Sequence, residues 1–227
     1  MNENNCCLLI GNSRLHWAIK KLGKWRFIHT LPNSQEITNY QKGICKWAAV
    51  GTIPENLELD PKKQITLQDI PLKNAPQWLG IDRALGSWGA FEQAKKKGIH
   101  SKGIILADAG TVLSLTCVSH LGEFIGGQLI AGLNLQRLAM AQKTQNLIYP
   151  KNNYLPSKVF PVSTEEAILR GTYQSLIGTI IEAQKISKMP LWLCGGDSKI
   201  IFENLKSRLT ITYCPNITLE AMIKIKS

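Results

Sequence analysis

The chain has 227 residues, of which 44% are hydrophobic and 19% are charged, and its formal net charge is +11. This composition can bury one large hydrophobic core or two small ones, and it excludes a disordered or fibrous protein. The longest apolar runs, at residues 104–107 and 191–194, are far shorter than the roughly 20 residues that a membrane-spanning helix needs. Residues 2–5 lack the basic start and the apolar stretch of a secretory signal, so we expect a cytoplasmic protein that contacts no membrane.

The positive charge would suit an anionic partner such as nucleic acid, a membrane surface or a phosphate-bearing ligand. The lysines cluster only modestly, at residues 20–21, 62–63 and 95–97, and no aromatic residues are interleaved with the lysines of a cluster. We therefore do not expect a nucleic-acid partner. The six cysteines and four histidines show neither a CxxC pair nor zinc-ligand spacing, which predicts free thiols and no transition-metal site.

The first predicted strands flank a glycine turn. Residues 6–10 form a continuous apolar run, Gly11-Asn12-Ser13 interrupts it, and apolar residues then alternate with polar ones. This pattern predicts a strand, a tight turn and a second strand, and a turn at Gly23 and Lys24 leads into a third antiparallel strand. Shorter strands are predicted at residues 47–50 and 65–67.

The same pattern returns in the second half of the chain. Before it, apolar residues at helical spacing predict an amphipathic helix that begins at Asp82 and stops at Gly98. Residues 104–107 then form an apolar strand, Asp108-Ala109-Gly110-Thr111 interrupts it, and an alternating strand follows.

Two copies of one strand–turn–strand pattern predict a duplicated α/β protein, with domains at residues 1–103 and 104–227. Further along, Ser163 and Glu166 have the spacing of a helix capping box, and the apolar residues after them predict a long, largely buried helix. A last apolar strand enters a glycine-rich turn at residues 195–197.

Glycine turns that follow strands can present backbone N–H groups to phosphate oxygens without side-chain obstruction. The turns at Gly11, Gly110 and residues 195–197 are of this kind. For any one of them an ordinary turn glycine is the better explanation, whereas the three together favour a nucleotide site. No Walker A loop and no GxGxxG helix start is present, which argues against a P-loop or Rossmann fold.

Phosphoryl transfer requires a carboxylate near the attacking hydroxyl and positive charge near the phosphates. Asp82 and Arg83 supply both at a helix N-terminus, although capping of that helix explains Asp82 about equally well. Asp108 ends a buried strand, where an unpaired carboxylate would be costly, so we expect a cation or hydrogen-bond donors beside it. Capping of the turn at Gly110 is the weaker alternative for Asp108.

In its motifs and their order, the sequence resembles the type III pantothenate kinases, members of the acetate and sugar kinase, Hsp70 and actin superfamily. The resemblance covers residues 8–222 and rests on short segments that occur in the family's order. They are Ile10-Gly11-Asn12-Ser13, Gly80-Ile81-Asp82-Arg83, Asp108-Ala109-Gly110-Thr111, Gly126-Gly127 with Gly132, Ser163-Thr164 with Ala167, Ile168 and Gly171, and Gly195-Gly196-Asp197. The resemblance implies two actin-like (ribonuclease H-like) domains with a nucleotide cleft between them.

The resemblance also implies a reaction, the transfer of the γ-phosphate of ATP to the 4′-hydroxyl of pantothenate, which is the first step of coenzyme A biosynthesis. It implies a homodimer, which the long apolar helix after Ser163 also favours. Asp82 would be the general base, Mg²⁺ would accompany ATP, and Asp108 would hold a monovalent cation, K⁺ or NH₄⁺. The implied pantothenate site comprises Gly80, Ile81, Asp82, Arg83 and Thr164. The implied ATP site comprises Leu9, Ile10, Gly11, Asn12, Ser13, Arg14 and Thr111.

Three residues depart from the family pattern. Leu9 and Thr116 stand where the family has carboxylates, and Ala131 stands where it has proline. One rival interpretation is therefore a homologue that has lost catalysis and acts as a ligand-binding or regulatory protein. A second rival, a nucleic-acid-associated protein, rests on the net charge alone. We expect an active kinase in which the phosphates themselves hold most of the magnesium, because the neighbouring motif residues are intact.

Overall fold

The computed structural model describes residues 6–34 and 37–226, which form helices and two mixed β-sheets. The strands are β1 (Cys6–Ile10), β2 (Leu15–Lys21), β3 (Lys24–Thr30), β4 (Ile44–Ala49), β5 (Ile104–Ala109), β6 (Val112–Val118), β7 (Phe124–Ala131), β8 (Leu191–Cys194) and β9 (Ile211–Tyr213). The α-helices are α1 (Ile37–Gln41), α2 (Ile81–Lys96), α3 (Leu133–Lys143), α4 (Thr164–Ser187), α5 (Ser198–Leu205) and α6 (Ile217–Lys224). Two short 3-10 helices lie at Pro61–Lys63 and Leu67–Asp69.

The chain folds into two compact units. The N-terminal unit takes the described residues up to Ile104 together with Cys117–Gly126 and the residues from Asn216 onward. The C-terminal unit takes Ile105–Thr116 and Gly127–Pro215. The division of the chain into domains at residues 103 and 104 stays a prediction.

The first sheet has the strand order β3-β2-β1-β4. Its first three strands are antiparallel neighbours, which confirms the predicted meander, and β4 lies parallel to β1. The hairpin between β2 and β3 turns at Leu22 and Gly23, whose φ angles are +51° and +77°. Two consecutive positive φ angles are typical of the two-residue turns whose twist matches that of the strands.

One hydrophobic cluster of the N-terminal unit lies on one face of this sheet. Leu8, Ile10, Leu15 and Trp17 are all at most 1% exposed there. The Trp17 indole also donates a hydrogen bond of 3.0 Å to Thr30 Oγ1, so its polar atom is satisfied within the core.

Helix α2 confirms the amphipathic helix predicted around Asp82, and it packs against α6 in the same unit. The two helices approach closely at Gly89, where an added Cβ would lie 3.0 Å from the Cβ of Ala221. The strand predicted at residues 65–67 is wrong. That segment enters the 3-10 helix Leu67–Asp69, because the Asp69 carboxylate accepts hydrogen bonds from both the backbone N–H and the hydroxyl of Thr66.

The second sheet has the order β7-β6-β5-β8-β9, and β5, β8 and β9 are parallel. The long helix predicted after Ser163 is confirmed as α4. Only half of the predicted capping box forms. Ser163 Oγ accepts a hydrogen bond from the Glu166 backbone N–H at 3.3 Å, whereas the Glu166 carboxylate accepts one from the Tyr154 hydroxyl.

Candidate active site

The first glycine turn joins β1 to β2 in the N-terminal unit. The Gly11 backbone N–H donates to the Arg14 carbonyl at 2.9 Å, which closes the turn and leaves Asn12 and Ser13 exposed to solvent. Leu9 and Ile10, which precede the turn, are only 5% and 1% exposed. Of the residues predicted to bind ATP, Asn12, Ser13 and Arg14 thus present their side chains to solvent, and the two apolar residues do not.

Gly51 packs directly against this turn and was not predicted from the sequence as a site residue. It follows β4, and both its N–H and that of Val50 donate to the Ile10 carbonyl, at 3.3 and 2.8 Å. An added Cβ on Gly51 would lie 2.5 Å from the Gly11 carbonyl oxygen, so no larger residue fits without a backbone shift. The available signal was a glycine directly after a predicted apolar strand.

A pair of histidines also lies beside the first turn and was not predicted. The Nδ1 atoms of His16 on β2 and His29 on β3 are 2.8 Å apart, and His16 Nε2 is 3.0 Å from where a Gly11 Cβ would be. Burial, helped by His29 and Arg14, lowers the pKa of His16 to about 4. The His16 ring is therefore neutral at pH 7. The pair is a consequence of the β2–β3 register, which places residues 16 and 29 opposite each other.

The segment predicted to hold the general base forms the N-terminus of α2. Gly80 is the N-cap residue, so the interpretation of Asp82 as the helix cap is wrong, because Asp82 lies inside the first turn. Its Oδ1 accepts a hydrogen bond from the Arg83 backbone N–H at 2.7 Å, and an added Cβ on Gly80 would lie 2.7 Å from the same oxygen. The absence of a side chain at residue 80 thus makes room for the carboxylate.

The surroundings of Asp82 shift the pKa of its carboxyl group. Burial raises its pKa, although the Arg83 backbone hydrogen bond and the Arg83 charge oppose this effect. A carboxylate that is poorly hydrated and partly compensated by a neighbouring cation is a stronger base than one in water.

In the C-terminal unit, three glycine-containing segments meet at the end of β5. An added Cβ on Gly132 would lie 2.2 and 2.6 Å from the carbonyl oxygens of Gly110 and Thr111. An added Cβ on Gly195 would lie 2.5 Å from both the Ala109 carbonyl oxygen and Asp108 Oδ1. Gly132 therefore packs directly against the backbone of the second glycine turn.

The glycine-rich turn at residues 195–197 is bonded to the second glycine turn. The Asp197 backbone N–H donates to the Ala109 carbonyl at 2.8 Å, and Gly195 has a φ of +96°, which a residue with a side chain rarely adopts. The structure thus brings Asp108, Gly110, Thr111 and the turn together. Thr164, the remaining predicted site residue of this unit, is the exposed first residue of α4.

Within residues 6–34 and 37–226, no group of three or more histidine, cysteine, aspartate or glutamate residues is arranged to hold a metal ion. No helix of this part of the chain is long and apolar enough to span a membrane. A cleft of about 650 Å³ lies in the N-terminal unit, and the segment from Thr66 to Gln77 that lines it contains none of the predicted site residues.

Comparison with known sequences identifies relatives over most of the chain. The sequence profile of the family described as type III pantothenate kinase matches residues 59–185. A protein of Thermosynechococcus vestitus named type III pantothenate kinase is 31% identical over 212 residues, which cover 89% of this chain and 81% of that protein.

Comparison with solved structures identifies relatives of the fold. A Campylobacter jejuni protein described as a conserved Baf family transcriptional activator has a TM-score of 0.63 and 19% identity, over 97% of this chain and 96% of its own. A Sinorhizobium meliloti protein described as a 2-dehydro-3-deoxygalactonokinase has a TM-score of 0.55 and 11% identity, over 96% of both chains. At such identities the likeness concerns the fold alone. With the two mixed sheets, it confirms the predicted α/β fold of two actin-like domains.

Proposed function

The chain belongs to the type III pantothenate kinase family, and from this membership we infer that it is an enzyme that transfers a phosphoryl group from ATP to pantothenate, the first step of coenzyme A biosynthesis. The family, the enzyme class and the reaction predicted from the sequence are thereby confirmed. The rival interpretation as a regulatory homologue without catalysis is not favoured. The assignment of roles to individual residues is our proposal.

The observation that carries the proposed mechanism is the partly buried Asp82 carboxyl at the N-terminus of α2. We propose that it accepts the proton of the 4′-hydroxyl of pantothenate as that oxygen attacks the γ-phosphorus of ATP. Arg83 adds a positive charge, which suits pantothenate because this substrate is a carboxylate. Gly80, Ile81 and Thr164 complete the proposed pantothenate site.

ATP is proposed to bind at both strand–glycine turns. Within residues 9–14, the exposed Asn12, Ser13 and Arg14 would contact it at the first turn, where Leu9 and Ile10 are buried, and Thr111 would contact it at the second. Glycine turns of this kind leave N–H groups accessible to phosphate oxygens, and the close packing of Gly51 and Gly132 fixes their position before ATP binds.

The donor atoms in the C-terminal unit fit a monovalent cation. Asp108 Oδ1 and the Ala109 carbonyl oxygen lie against Gly195, and the carbonyl oxygens of Gly110 and Thr111 lie against Gly132. Hard cations prefer such oxygen ligands. Asp108 is thus the proposed residue for K⁺ or NH₄⁺, which would balance negative charge near the phosphates.

Magnesium is proposed to bind mainly to the phosphates of ATP. The described residues contain no carboxylate cluster for it, and Leu9 offers no ligand atom. Mg²⁺ retains several of its waters in most kinase sites, so a site with few protein ligands is compatible with its chemistry.

The proposed homodimer is supported by exposed apolar side chains before α4, and not by α4 itself. The apolar residues Ile168, Leu176 and Ile180 of α4 are buried within the chain itself. Exposed apolar side chains are instead concentrated in the segment before α4. They are Ile148, Tyr149, Tyr154, Val159, Phe160 and Val162, with exposed fractions of 78%, 40%, 42%, 57%, 89% and 94%. We propose that a second copy of the chain packs against this segment in the homodimer. The proposed location of the enzyme is the cytoplasm.

Light scattering tests the dimer. The wild type is expected to have twice the mass of one 25.3 kDa chain. A double substitution of Phe160→Ser and Val162→Ser is expected to weaken association, whereas Leu22→Ser, in an exposed hairpin turn, is not. A wild-type mass equal to one chain would contradict the dimer.

The reaction is tested by incubating the purified chain with ATP, magnesium and potassium, with and without pantothenate, and by measuring phosphopantothenate with mass spectrometry. Asp82→Asn is expected to lower turnover by about 10²–10⁴-fold and to leave pantothenate binding largely intact. Glu203→Gln is the control, because this carboxylate is half-exposed and pairs with Lys206 on the surface. If Asp82→Asn keeps wild-type turnover, Asp82 is not the general base.

A stability measurement separates a catalytic loss from an unfolded variant. The pKa of Asp82 is raised in the folded state, so its ionised form destabilises the fold at any pH above that pKa. Asp82→Asn is therefore expected to be at least as stable as the wild type at pH 7, since Asn can still accept the Arg83 hydrogen bond.

A further inference from the structure

Two cysteines lie on neighbouring strands of the first sheet, Cys7 on β1 and Cys45 on β4. In the parallel pairing of β1 with β4, Cys6 is opposite Ile44 and Cys7 is opposite Lys46. Cys45 is therefore an extra residue in β4, which makes a bulge beside the peptide that joins Cys6 to Cys7.

The bulge decides which side chains share a face of the sheet. Cys6, Ile44 and Trp47 belong to one core cluster, in which Cys6 is 3% exposed. Cys7 lies on the opposite face of β1, because side chains alternate along a strand. In a regular strand, one residue lies between two successive residues that face the same core. Here two residues, Cys45 and Lys46, lie between Ile44 and Trp47, which both belong to the core cluster. Cys45 is thereby placed beside Cys7.

Two observations place these thiols near each other. Cys45 Sγ donates a hydrogen bond of 3.2 Å to the Cys6 carbonyl oxygen, and the interaction of the Cys7 and Cys45 side chains shifts the pKa of both thiols. Neighbouring strands are about 4.8 Å apart, which is within the range of about 4.4–6.8 Å between Cα atoms that disulfides span. No large backbone movement is needed to join the two sulfurs.

The two thiols differ in accessibility and acidity. Cys7 is 1% exposed, whereas Cys45 is partly exposed. The hydrogen bond with Cys7, together with the Lys46 charge, lowers the pKa of Cys45 to about 6, and the same hydrogen bond with burial raises the pKa of Cys7. A partly exposed thiolate beside a buried thiol is the arrangement of an attacking and a resolving cysteine.

We propose that Cys7 and Cys45 are a dithiol pair that a peroxide converts reversibly into an intrachain disulfide between β1 and β4. The Cys45 thiolate attacks one oxygen of hydrogen peroxide, the O–O bond breaks, and Cys45 becomes a sulfenic acid as hydroxide leaves and is protonated to water. The Cys7 sulfur then attacks the Cys45 sulfur, the S–O bond breaks, and the hydroxyl group leaves as water with the Cys7 proton. In total, two thiols and one peroxide give one disulfide and two waters, and a dithiol reductant reverses the change.

The test detects the oxidation of the two cysteines and does not measure turnover, so its result is independent of the proposed kinase reaction. The reduced protein is treated with one equivalent of hydrogen peroxide, the remaining thiols are alkylated, and tryptic peptides are analysed by mass spectrometry. Trypsin places Cys6 and Cys7 in the peptide that ends at Arg14, and Cys45 in the peptide of residues 43–46. These two peptides are expected to be joined with the loss of two hydrogen atoms, and dithiothreitol is expected to separate them.

Neighbouring cysteines supply the matched control. Cys6→Ala is expected to keep the cross-link, because Cys6 faces the core, whereas Cys7→Ala is expected to lose it and to accumulate Cys45 sulfenic acid that dimedone traps. If either variant fails to fold, fragmentation of the wild-type cross-linked peptide between Cys6 and Cys7 assigns the bond. A bond from Cys45 to Cys6, a bond between two chains, or a Cys45 that stays reduced overturns the proposal.

Discussion

The two strand–glycine turns share a backbone design that the sequence repeat only partly indicates. Gly11 follows β1 and Gly110 follows β5, and each of these strands has a parallel neighbour, β4 or β8. At the end of each neighbour lies a second glycine, Gly51 or Gly195, on which a Cβ would come within 2.5 Å of a backbone oxygen of the turn segment. Each turn therefore depends on a glycine that lies far from it in sequence.

The turns differ at the residue two positions before the glycine. In the N-terminal unit this residue is Leu9, which is 5% exposed and apolar. In the C-terminal unit it is Asp108, whose carboxylate lies against Gly195. The backbone design is thus retained whether or not a carboxylate is present.

The largest expected effect comes from the supporting glycines. Gly195→Ala combines a φ of +96° with a Cβ 2.5 Å from backbone atoms, and strain of this kind costs about 1–3 kcal/mol before any clash is counted. Gly51→Ala, which meets only the clash, is expected to cost less. Denaturant unfolding measures both losses. Gly196→Ala is the control, because its Cβ would meet nothing within 4 Å. Equal stability of Gly195→Ala and Gly196→Ala would show that the second turn does not need its supporting glycine.

Replacement of the carboxylate in the second turn is expected to affect activity more than stability. Asp108→Asn keeps the size of the side chain but removes its charge, so turnover in potassium is expected to fall. The difference in turnover between potassium and tetramethylammonium is expected to disappear in the variant. Steady-state kinetics in the two salts measure this effect. A wild type that turns over equally in both salts would remove Asp108 from the proposed cation site.

Introduction of a carboxylate into the first turn tests the opposite change. Leu9→Asp is expected to tighten the apparent affinity for magnesium at fixed ATP, because the ion gains an oxygen ligand. Leu9→Asn is the control for polarity without charge. Both variants place a polar group at a position that is 5% exposed, so thermal melts must show that each is folded. Unchanged magnesium titrations in a folded Leu9→Asp protein would mean that residue 9 does not face the metal.

At neutral pH, the smallest expected effect concerns the histidine beside the first turn. The pKa of His16 falls from 6.5 to about 4 on folding, so the unfolded chain binds more protons than the folded one between these values. The stability contribution is therefore fully present above pH 6.5 and is lost as the pH falls towards 4. His16→Gln is expected to flatten this part of the curve of unfolding free energy against pH. The same slope in variant and wild type would assign it to other groups.

Sequence patterns predicted the strands next to both turns, but they did not predict the residues that pack against the turns from distant parts of the sequence. The alternation after Gly11 and the helix at Asp82 are visible because neighbouring residues carry the signal. The contacts of Gly51 with Gly11, and of His16 with His29, depend on strand register, which a single sequence does not reveal. The strand wrongly predicted at residues 65–67 shows the same limit, because a cap between Thr66 and Asp69 outweighs a short apolar run.

Helix α6 has a consequence for the synthesis of the chain. The N-terminal unit needs this helix, which packs against α2 at Gly89 and whose final carbonyls, those of Ile223 and Ile225, accept hydrogen bonds from the Lys46 ammonium group. A ribosome that adds about 5–20 residues per second completes α2 on the order of ten seconds before it reaches α6. All residues of the C-terminal unit are made in that interval. The unit that is begun first is therefore completed last, and the apolar surface of α2 remains open to chaperones until residues 217–224 leave the ribosome.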